Sequence, residues 1–369
     1  MPSLPASDAV FSRPLSLRER AVHFRSDGLA LSPAEYARLL VQLAESGWIA
    51  ADEFSREGIV TTLEERIAAV LGKETAVFVP TGTLANNLAL RLLTQRGRRV
   101  LVQRESHIYN DSGDCAQALN GLTLIPLAPG RATFTLAEAT AEIARGEEAR
   151  VSAPVGAISI ESPVRRLFGE VFEFAEMQHI AALARTRRIG LHLDGARLFL
   201  ASAYTGIAPE RYAALFDTVY VSLYKYFNAA GGAVLAGPKQ LLEGLYHQRR
   251  MFGGGLRQAW PYAAVALYYL DGFSERFQRA AAAAEVLFER LATHENCEVL
   301  RSSAATNVTR LRVLGTASAA LPERLLPRGI AIGSALQASP GRAEFELFTN
   351  ETILRRPIAE IIEIFAQAL

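Results

Sequence analysis

Two side chains that could do covalent or proton chemistry follow apolar segments typical of buried strands. Asp194 ends the segment LHLD, and Lys225 follows the segment TVYVSL, 225 − 194 = 31 residues further along the chain. A carboxylate at a buried strand end is costly unless it is paired or hydrogen-bonded. A lysine in an apolar setting, here beside Tyr224 and Tyr226, suits Schiff-base chemistry. Taken alone, Asp194 could be a helix N-cap and Lys225 could reach the surface.

Two further segments are suited to binding an anionic group such as phosphate. Pro80-Thr81-Gly82-Thr83 joins an apolar segment to a helical pattern, so Gly82 allows a close backbone approach and Thr83 supplies a hydroxyl at a helix N-terminus. The segment RRMFGGGLRQAW places three consecutive glycines between arginines, which can bind phosphate or carboxylate. Each also has a simpler interpretation, because Thr-Gly-Thr turns serve as helix caps and Gly-rich segments serve as loops.

Together, these features predict a site for pyridoxal 5'-phosphate. The chain offers in turn a phosphate seat at Gly82 and Thr83, a strand-end aspartate and a strand-end lysine. Asp194 would face the pyridinium nitrogen and keep it protonated, so that the ring accepts electrons. Lys225 would form the Schiff base with the cofactor, while the seat would anchor its phosphate.

Short apolar segments alternate with helical patterns over most of the chain. The predicted strands are residues 76–80, 99–103, 122–127, 156–161, 189–194, 218–223 and 232–237. Nearly continuous apolar strands between helices predict an α/β fold whose mainly parallel sheet is covered by helices on both faces. In such folds functional residues collect where strands end, which is where Asp194 and Lys225 lie.

The pattern changes near Phe273, where an Ala-rich helix leads into alternating segments and a final helix. We expect a large domain that carries the mainly parallel sheet and a smaller α+β C-terminal domain. The expected divisions are an N-terminal arm and helix (1–45), the large cofactor-binding domain (46–270) and the small domain (271–369).

Composition narrows the class of protein. The 369 residues carry 39 Lys+Arg and 38 Asp+Glu, and this near-neutral balance argues against nucleic acid or an anionic membrane as the main partner. Cys115 and Cys297 are too few for a disulfide scaffold and lack metal-ligand spacing, so we expect no metal site. Since neither a signal-peptide pattern nor a membrane-length apolar run is present, we expect a cytoplasmic protein.

The scarcity of lysine excludes other motifs. Only Lys73, Lys225 and Lys239 are lysines. A nucleotide-binding P-loop needs Gly-Lys followed by Ser or Thr, but Glu74 follows Lys73. Residues 222–225 match the S-x-x-K motif of penicillin-recognising serine enzymes, yet the required Lys-Thr-Gly strand is missing. Both alternatives therefore fail.

The motifs also resemble those of a known family. The segments FRSDG, LGKETAVFVPTGTLANNLAL, ESHIY, LHLDGARLF and MFGGGLRQ are similar to segments of the L-threonine aldolase / β-eliminating lyase group of fold-type I pyridoxal-phosphate enzymes. The resemblance covers most of the chain. It implies a lyase that cleaves an L-β-hydroxy-α-amino acid to glycine and an aldehyde. It also implies a homodimer or homotetramer with active sites between subunits.

The resemblance implies cofactor-binding roles for five residues. Lys225 matches the Schiff-base lysine, and Asp194 matches the partner of the pyridine nitrogen. His107 matches the histidine that stacks on the cofactor ring. Gly82 and Thr83 match contacts to the phosphate.

Five further residues match groups that bind anions. Ser26, Arg197 and Arg342 match side chains that grip the substrate carboxylate, and Arg197 also belongs to the cofactor site. Arg250 and Arg257 match cations that such enzymes lend to the cofactor site of a neighbouring subunit.

The chain departs from the family pattern on the side of the β-substituent. The aldolases carry a second histidine, implicated with the β-hydroxyl, about ten residues before the glutamate that is Glu161 here, and Val151 occupies that place. His107 or bound water would then handle the hydroxyl proton. The departure leaves three reactions on the same scaffold open, namely β-elimination, transamination and racemisation. A non-catalytic relative that binds the cofactor is also left open.

Overall fold

The computed structural model describes residues 21–369. Most of the arm expected before the first helix, residues 1–20, lies outside this range. The strands are β1 (Val22–His23), β2 (Thr75–Val79), β3 (Arg99–Gln103), β4 (Thr123–Leu127), β5 (Val155–Glu161), β6 (Gly190–Asp194), β7 (Thr218–Ser222), β8 (Ala233–Gly237), β9 (Cys297–Leu300), β10 (Val308–Leu314), β11 (Ile330–Ala331), β12 (Gln337–Ser339) and β13 (Arg342–Phe348).

Helices connect and cover these strands. The α-helices are α1 (Pro33–Glu45), α2 (Gly58–Leu71), α3 (Gly82–Leu93), α4 (His107–Asn110), α5 (Cys115–Asn120), α6 (Leu136–Glu147), α7 (Phe174–Arg187), α8 (Leu198–Thr205), α9 (Pro209–Ala213), α10 (Lys239–Leu242), α11 (Leu245–Met251), α12 (Trp260–Leu270), α13 (Phe273–Ala292), α14 (Leu321–Leu325) and α15 (Ile358–Ala368). Short 3₁₀ helices span Arg165–Leu167, Ser318–Ala320, Leu326–Arg328 and Glu351–Arg355.

Seven strands form one sheet in the order β2-β8-β7-β6-β5-β3-β4. Strands β7, β6, β5, β3 and β4 pair in parallel, whereas β8 runs antiparallel to both of its neighbours, β2 and β7. The carboxyl ends of the parallel strands therefore lie at one edge of the sheet. Every residue of β5 and β7 is buried, which requires cover on both faces. The predicted α/β fold is confirmed.

The local sequence accounts for the strands of this sheet. All seven strands predicted from apolar segments are present, and their bounds differ from the prediction by no more than one residue at either end. The agreement is close because each apolar segment stops where the chain leaves the buried layer for a loop or a helix N-terminus.

Helix α3 begins directly after β2 and packs against the sheet. Thr81 is its N-cap, and the Thr81 hydroxyl accepts the N–H of Leu84 at 3.1 Å. Ala85 and Leu88 of this helix share an apolar cluster with Tyr220 of β7. The polar first turn of α3 is thereby held at the edge where the strands end.

The chain forms two compact units, and the seven-stranded sheet belongs to the unit of residues 49–267. The other unit contains residues 21–48 and 268–369. It holds an antiparallel sheet of order β12-β13-β10-β9, whose core includes Phe345 of β13, Leu287 of α13 and Phe365 of α15. Strand β1, in the segment predicted as an N-terminal arm, pairs there with β11. Local sequence did not reveal this strand because its partner is distant in the chain.

None of the helices within residues 21–369 combines the length and the apolar character needed to cross a bilayer.

Candidate active site

The ends of three neighbouring strands place polar side chains in one row. Glu161 of β5 pairs in register with Asp194 of β6, which pairs in turn with Tyr220 of β7. Residues paired in this way point to the same face of the sheet. All three side chains are buried. The row therefore contains two carboxyl groups and a phenol shielded from water.

Asp194 is fixed by hydrogen bonds from two directions. Asn86 of α3 donates its side-chain N–H to Oδ2 of Asp194 at 2.6 Å, and the backbone N–H of Ala196 donates to Oδ1 at 3.2 Å. Such bonds offset the cost of burying a carboxylate. The following helix has Arg197, not Asp194, at its N-cap position. The alternative interpretation of Asp194 as a helix cap is therefore wrong.

A buried histidine lies behind Asp194 on the same face of β6. His192 Nε2 lies 2.9 Å from Asn86 Oδ1, and His192 Nδ1 lies 2.9 Å from Thr218 Oγ1. Burial lowers the pKa of His192 to about 4. The imidazole is therefore neutral near pH 7 and takes part in hydrogen bonds without adding a charge.

The neutral state of His192 should make folding stability depend on pH. The unfolded chain binds a proton at His192 below about pH 6.5, whereas the folded protein does so only near pH 4. Wild-type protein should therefore lose on the order of 2 kcal/mol relative to His192→Gln between pH 7.5 and 4.5. Urea unfolding of both proteins without added cofactor measures this difference. Parallel stability profiles would contradict the burial of a neutral histidine.

Glu161 organises the loop that carries His107. Its carboxylate accepts the backbone N–H of His107 at 2.6 Å and that of Arg165 at 3.0 Å. Burial, followed by the negative charge of Asp194, raises the pKa of Glu161, while the Arg197 guanidinium acts in the opposite direction. The predicted residue Arg197 thus lies within the electrostatic environment of this row.

His107 is the first residue of α4, at the carboxyl end of β3. Its ring is half-buried, and Nδ1 lies 3.4 Å from the Ser112 hydroxyl. Since β3 is the sheet neighbour of β5, His107 is at the same edge as Glu161. Its stacking on a cofactor ring stays a prediction.

Lys225 lies three residues beyond Ser222, the last residue of β7. The side chain is partly buried, and Nζ lies 3.2 Å from the Tyr224 hydroxyl and 4.6 Å from the centre of its ring. The next residues, Tyr226 and Phe227, are buried and anchor the segment. Asp194 is the last residue of β6, and Lys225 follows β7, the neighbouring parallel strand. Both residues therefore lie at the same edge of the sheet.

The N-terminus of α3 approaches β7 closely. A Cβ atom on Gly82 would lie 1.9 Å from the Tyr220 hydroxyl, so the approach requires glycine. The Ser222 hydroxyl, on the same face of β7 as Tyr220, is fully buried and interacts with the Tyr220 hydroxyl. The N–H groups of Gly82 and Thr83 have no acceptor within their own helix. These donors fit a phosphate group.

Comparison with known proteins identifies the family to which the chain belongs. Residues 48–313 match the model of a protein family described as beta-eliminating lyase. The chain belongs to this family. The match spans the whole seven-stranded sheet together with Asp194 and Lys225.

Relatives and solved structures extend the match beyond the sheet. A low-specificity L-threonine aldolase of Eremothecium gossypii is 27% identical over 93% of this chain and 87% of its own. Alanine racemase TOXG of Cochliobolus carbonum is 32% identical over 58% of this chain and 55% of its own. Alignments with several other curated relatives also cover only 56% to 64% of those proteins.

A solved Listeria monocytogenes protein, named as a candidate L-allo-threonine aldolase, superposes with a TM-score of 0.81. It is 25% identical and covers 96% of this chain and 98% of its own. The fold is that of fold-type I pyridoxal-phosphate enzymes. The predicted fold and family are confirmed.

Two exposed arginines lie over one half-buried aromatic ring. The guanidinium carbons of Arg250 and Arg257 lie 4.7 Å and 5.0 Å from the centre of the Phe54 ring, within the range of cation–π attraction. Arg250 also donates to the Tyr246 hydroxyl at 2.9 Å, and Arg257 pairs with Glu53. A contribution of these cations to a neighbouring subunit stays a prediction.

Ser26 and Arg342 belong to the other compact unit. The Ser26 hydroxyl donates to the Gly28 carbonyl at 3.4 Å, and the Ser26 carbonyl accepts from Asn350 at 2.8 Å. Arg342 is exposed at the start of β13, where it pairs with Leu314. Their role with the substrate carboxylate stays a prediction.

Val151 does not lie at the edge that carries these residues. It precedes β5 and is 80% exposed, whereas Glu161 is the last residue of that strand. A strand of this length separates its two ends by roughly 20 Å. Within one chain Val151 is therefore distant from Glu161, and its correspondence to the second histidine of the aldolases stays a prediction.

Sequence patterns had not singled out Asn86, His192 or Thr218. One local signal was present, because His192 and Asp194 are polar residues two apart on an otherwise apolar strand and so point to the same face. Asn86 lies on a helix 108 residues before Asp194, and only packing of that helix on the sheet brings the two together.

Proposed function

We propose that the protein cleaves the Cα–Cβ bond of an L-β-hydroxy-α-amino acid of the threonine type and releases glycine and an aldehyde. The observation that carries this proposal is the arrangement of Asp194, buried and held by Asn86, beside the strand that leads to Lys225. The name of the Eremothecium relative supports the substrate class.

The site residues divide the work of binding the cofactor. When bound, pyridoxal phosphate withdraws electrons from Cα and stabilises the charge left there. Lys225 supplies the amine for covalent attachment, and Asp194 holds a proton at the ring nitrogen. The Ser222 hydroxyl and the first-turn N–H groups of Gly82 and Thr83 accommodate the phosphate, since these donors are at the same edge.

The reaction also requires orientation and proton transfer. Arg197, whose charge acts on the row of carboxyl groups, binds the substrate carboxylate and thereby orients the Cα–Cβ bond. The β-hydroxyl O–H bond breaks as the aldehyde forms, and a C–H bond forms at Cα, so the net proton count is unchanged. His107, fixed by the Glu161 carboxylate, or a water beside it carries this proton.

Racemisation is a second candidate, supported by the similarity to alanine racemase TOXG. It would use the same lysine and aspartate, because a charge at Cα also arises when the Cα proton is removed. The two reactions differ in the bond that breaks, so their products separate them.

A product assay tests the proposal. Purified protein loaded with pyridoxal phosphate is incubated with L-threonine, L-allo-threonine, L-serine and L-alanine, and products are identified by chromatography. We expect glycine and acetaldehyde from one or both threonine isomers. Pyruvate or 2-oxobutyrate without glycine would show β-elimination instead, and D-alanine from L-alanine would show racemisation.

We also propose a homodimer or homotetramer located in the cytoplasm. The exposed position of Arg250 and Arg257 around Phe54 is compatible with a cation supplied to a second copy. Light scattering of the purified protein would give the number of subunits.

A further inference from the structure

The hydrogen bonds behind Asp194 have a single consistent direction. An ionised carboxylate only accepts hydrogen bonds, so Asn86 must turn its NH₂ group to Asp194 and its Oδ1 to His192. His192 Nε2 must then carry the proton. The neutral ring leaves Nδ1 as an acceptor, which the Thr218 hydroxyl supplies with a proton.

This order produces a chain of donors that all point toward Asp194. It runs from Thr218 through His192 and Asn86 to the carboxylate, with heavy-atom separations of 2.9, 2.9 and 2.6 Å. The first three residues are at most 2% exposed, so no water competes for these bonds. Hydrogen bonds in such surroundings polarise one another, which strengthens the last of them.

We propose that His192 is a positioning residue, which acts through Asn86 to hold the Asp194 carboxylate aimed at the cofactor ring nitrogen. The inference rests on the role of Asp194 in the proposed function. A neutral relay suits this task because it stabilises the carboxylate without introducing a cation, and a cation beside Asp194 would weaken its hold on the ring proton.

The negative charge of Glu161, which the Arg197 guanidinium partly offsets, gives such support a role. Glu161 lies beside Asp194 in the same buried row and would disfavour a second negative charge there. On the other side, Tyr220 is buried, and its pKa is raised well above its usual value, so it adds no charge. Hydrogen bonds from Asn86 and Ala196 therefore hold the Asp194 carboxylate in place at this strand end.

The test compares holoenzymes of wild type, His192→Leu and His192→Gln. Leucine fills the space without a donor, whereas glutamine can place an N–H near the position of Nε2 and an oxygen toward Thr218. The readouts are the Kd for pyridoxal phosphate, the pH dependence of the visible absorbance of the bound cofactor, and kcat and KM for the amino-acid substrate.

We expect His192→Leu to lower kcat by about 10- to 100-fold, with KM changed much less, as for loss of a partner that orients a site residue. Its cofactor Kd should rise, and the pH at which the cofactor absorbance changes should shift from the wild-type value, because the ring nitrogen holds its proton less firmly. His192→Gln should restore most of each property. Thr218→Val leaves the histidine in place and should shift the same readouts in the same direction by a smaller factor. This variant replaces His192→Leu in the test if His192→Leu does not fold.

Wild-type values of kcat, cofactor Kd and absorbance profile in a folded His192→Leu holoenzyme would overturn the inference, even if its unfolding temperature were lower. Equal losses in the leucine and glutamine variants would also overturn it, because they would indicate packing rather than donation. If wild type binds the cofactor but releases no glycine from threonine, the proposed reaction fails, while the cofactor Kd and absorbance still decide the role of His192.

Discussion

Lys225→Ala is expected to abolish the visible absorbance of the bound cofactor and to lower kcat/KM by at least about 10³-fold. The physical reason is that the alanine side chain cannot form a covalent bond to pyridoxal phosphate. Lys225 is the lysine that follows β7 at the carboxyl edge of the sheet, beside the strand that ends in Asp194. Absorption spectra of purified wild type and variant, followed by the product assay, measure the effect.

Two further variants make this result specific. Lys239→Ala is the matched control, because Lys239 is exposed at the start of α10, the helix that follows β8. It should keep both absorbance and activity. Lys225→Arg keeps the charge but not the reactive amine, so it should behave like Lys225→Ala. Cofactor absorbance retained in Lys225→Ala would mean that another group binds the cofactor.

Asp194→Asn is expected to lower kcat on the order of 10³-fold while cofactor remains attached to Lys225. Asparagine has nearly the same shape as aspartate but no charge, so it cannot hold a proton at the ring nitrogen. It also places an amide opposite the Asn86 amide, where a carboxylate now accepts at 2.6 Å. Spectra and single-turnover kinetics separate retained binding from lost chemistry.

The control for this variant is Asp217→Asn. Asp217 precedes β7 at the amino edge and accepts the N–H of Leu191 at 2.8 Å, so it is an aspartate of the same sheet outside the site. Its replacement should affect stability more than turnover. A kcat close to that of wild type in Asp194→Asn would show that Asp194 has no part in the proposed reaction. The proposed role of His192, which acts through Asp194, would then fail as well.

Much of the fold and the central pair of site residues could be predicted from the sequence. Asp194 and Lys225 could be proposed as site residues because the end of an apolar segment is a local property, and parallel strands bring their carboxyl ends to one edge. Val151 lies beyond the other end of β5 from Glu161. Counting residues back from Glu161 crossed the whole of β5 and reached the opposite edge, since position along a strand changes about 3.3 Å per residue.

The sequence by itself determined the strands and the edge where Asp194 and Lys225 lie, because apolar periodicity and side-chain type are properties of short segments. Only the tertiary structure decided what surrounds Asp194. Strand order placed Glu161 on one side and Tyr220 on the other, and the packing of α3 brought Asn86 between Asp194 and His192. These contacts join residues up to 108 positions apart, and they exist only when the sheet register and the helix packing are both complete.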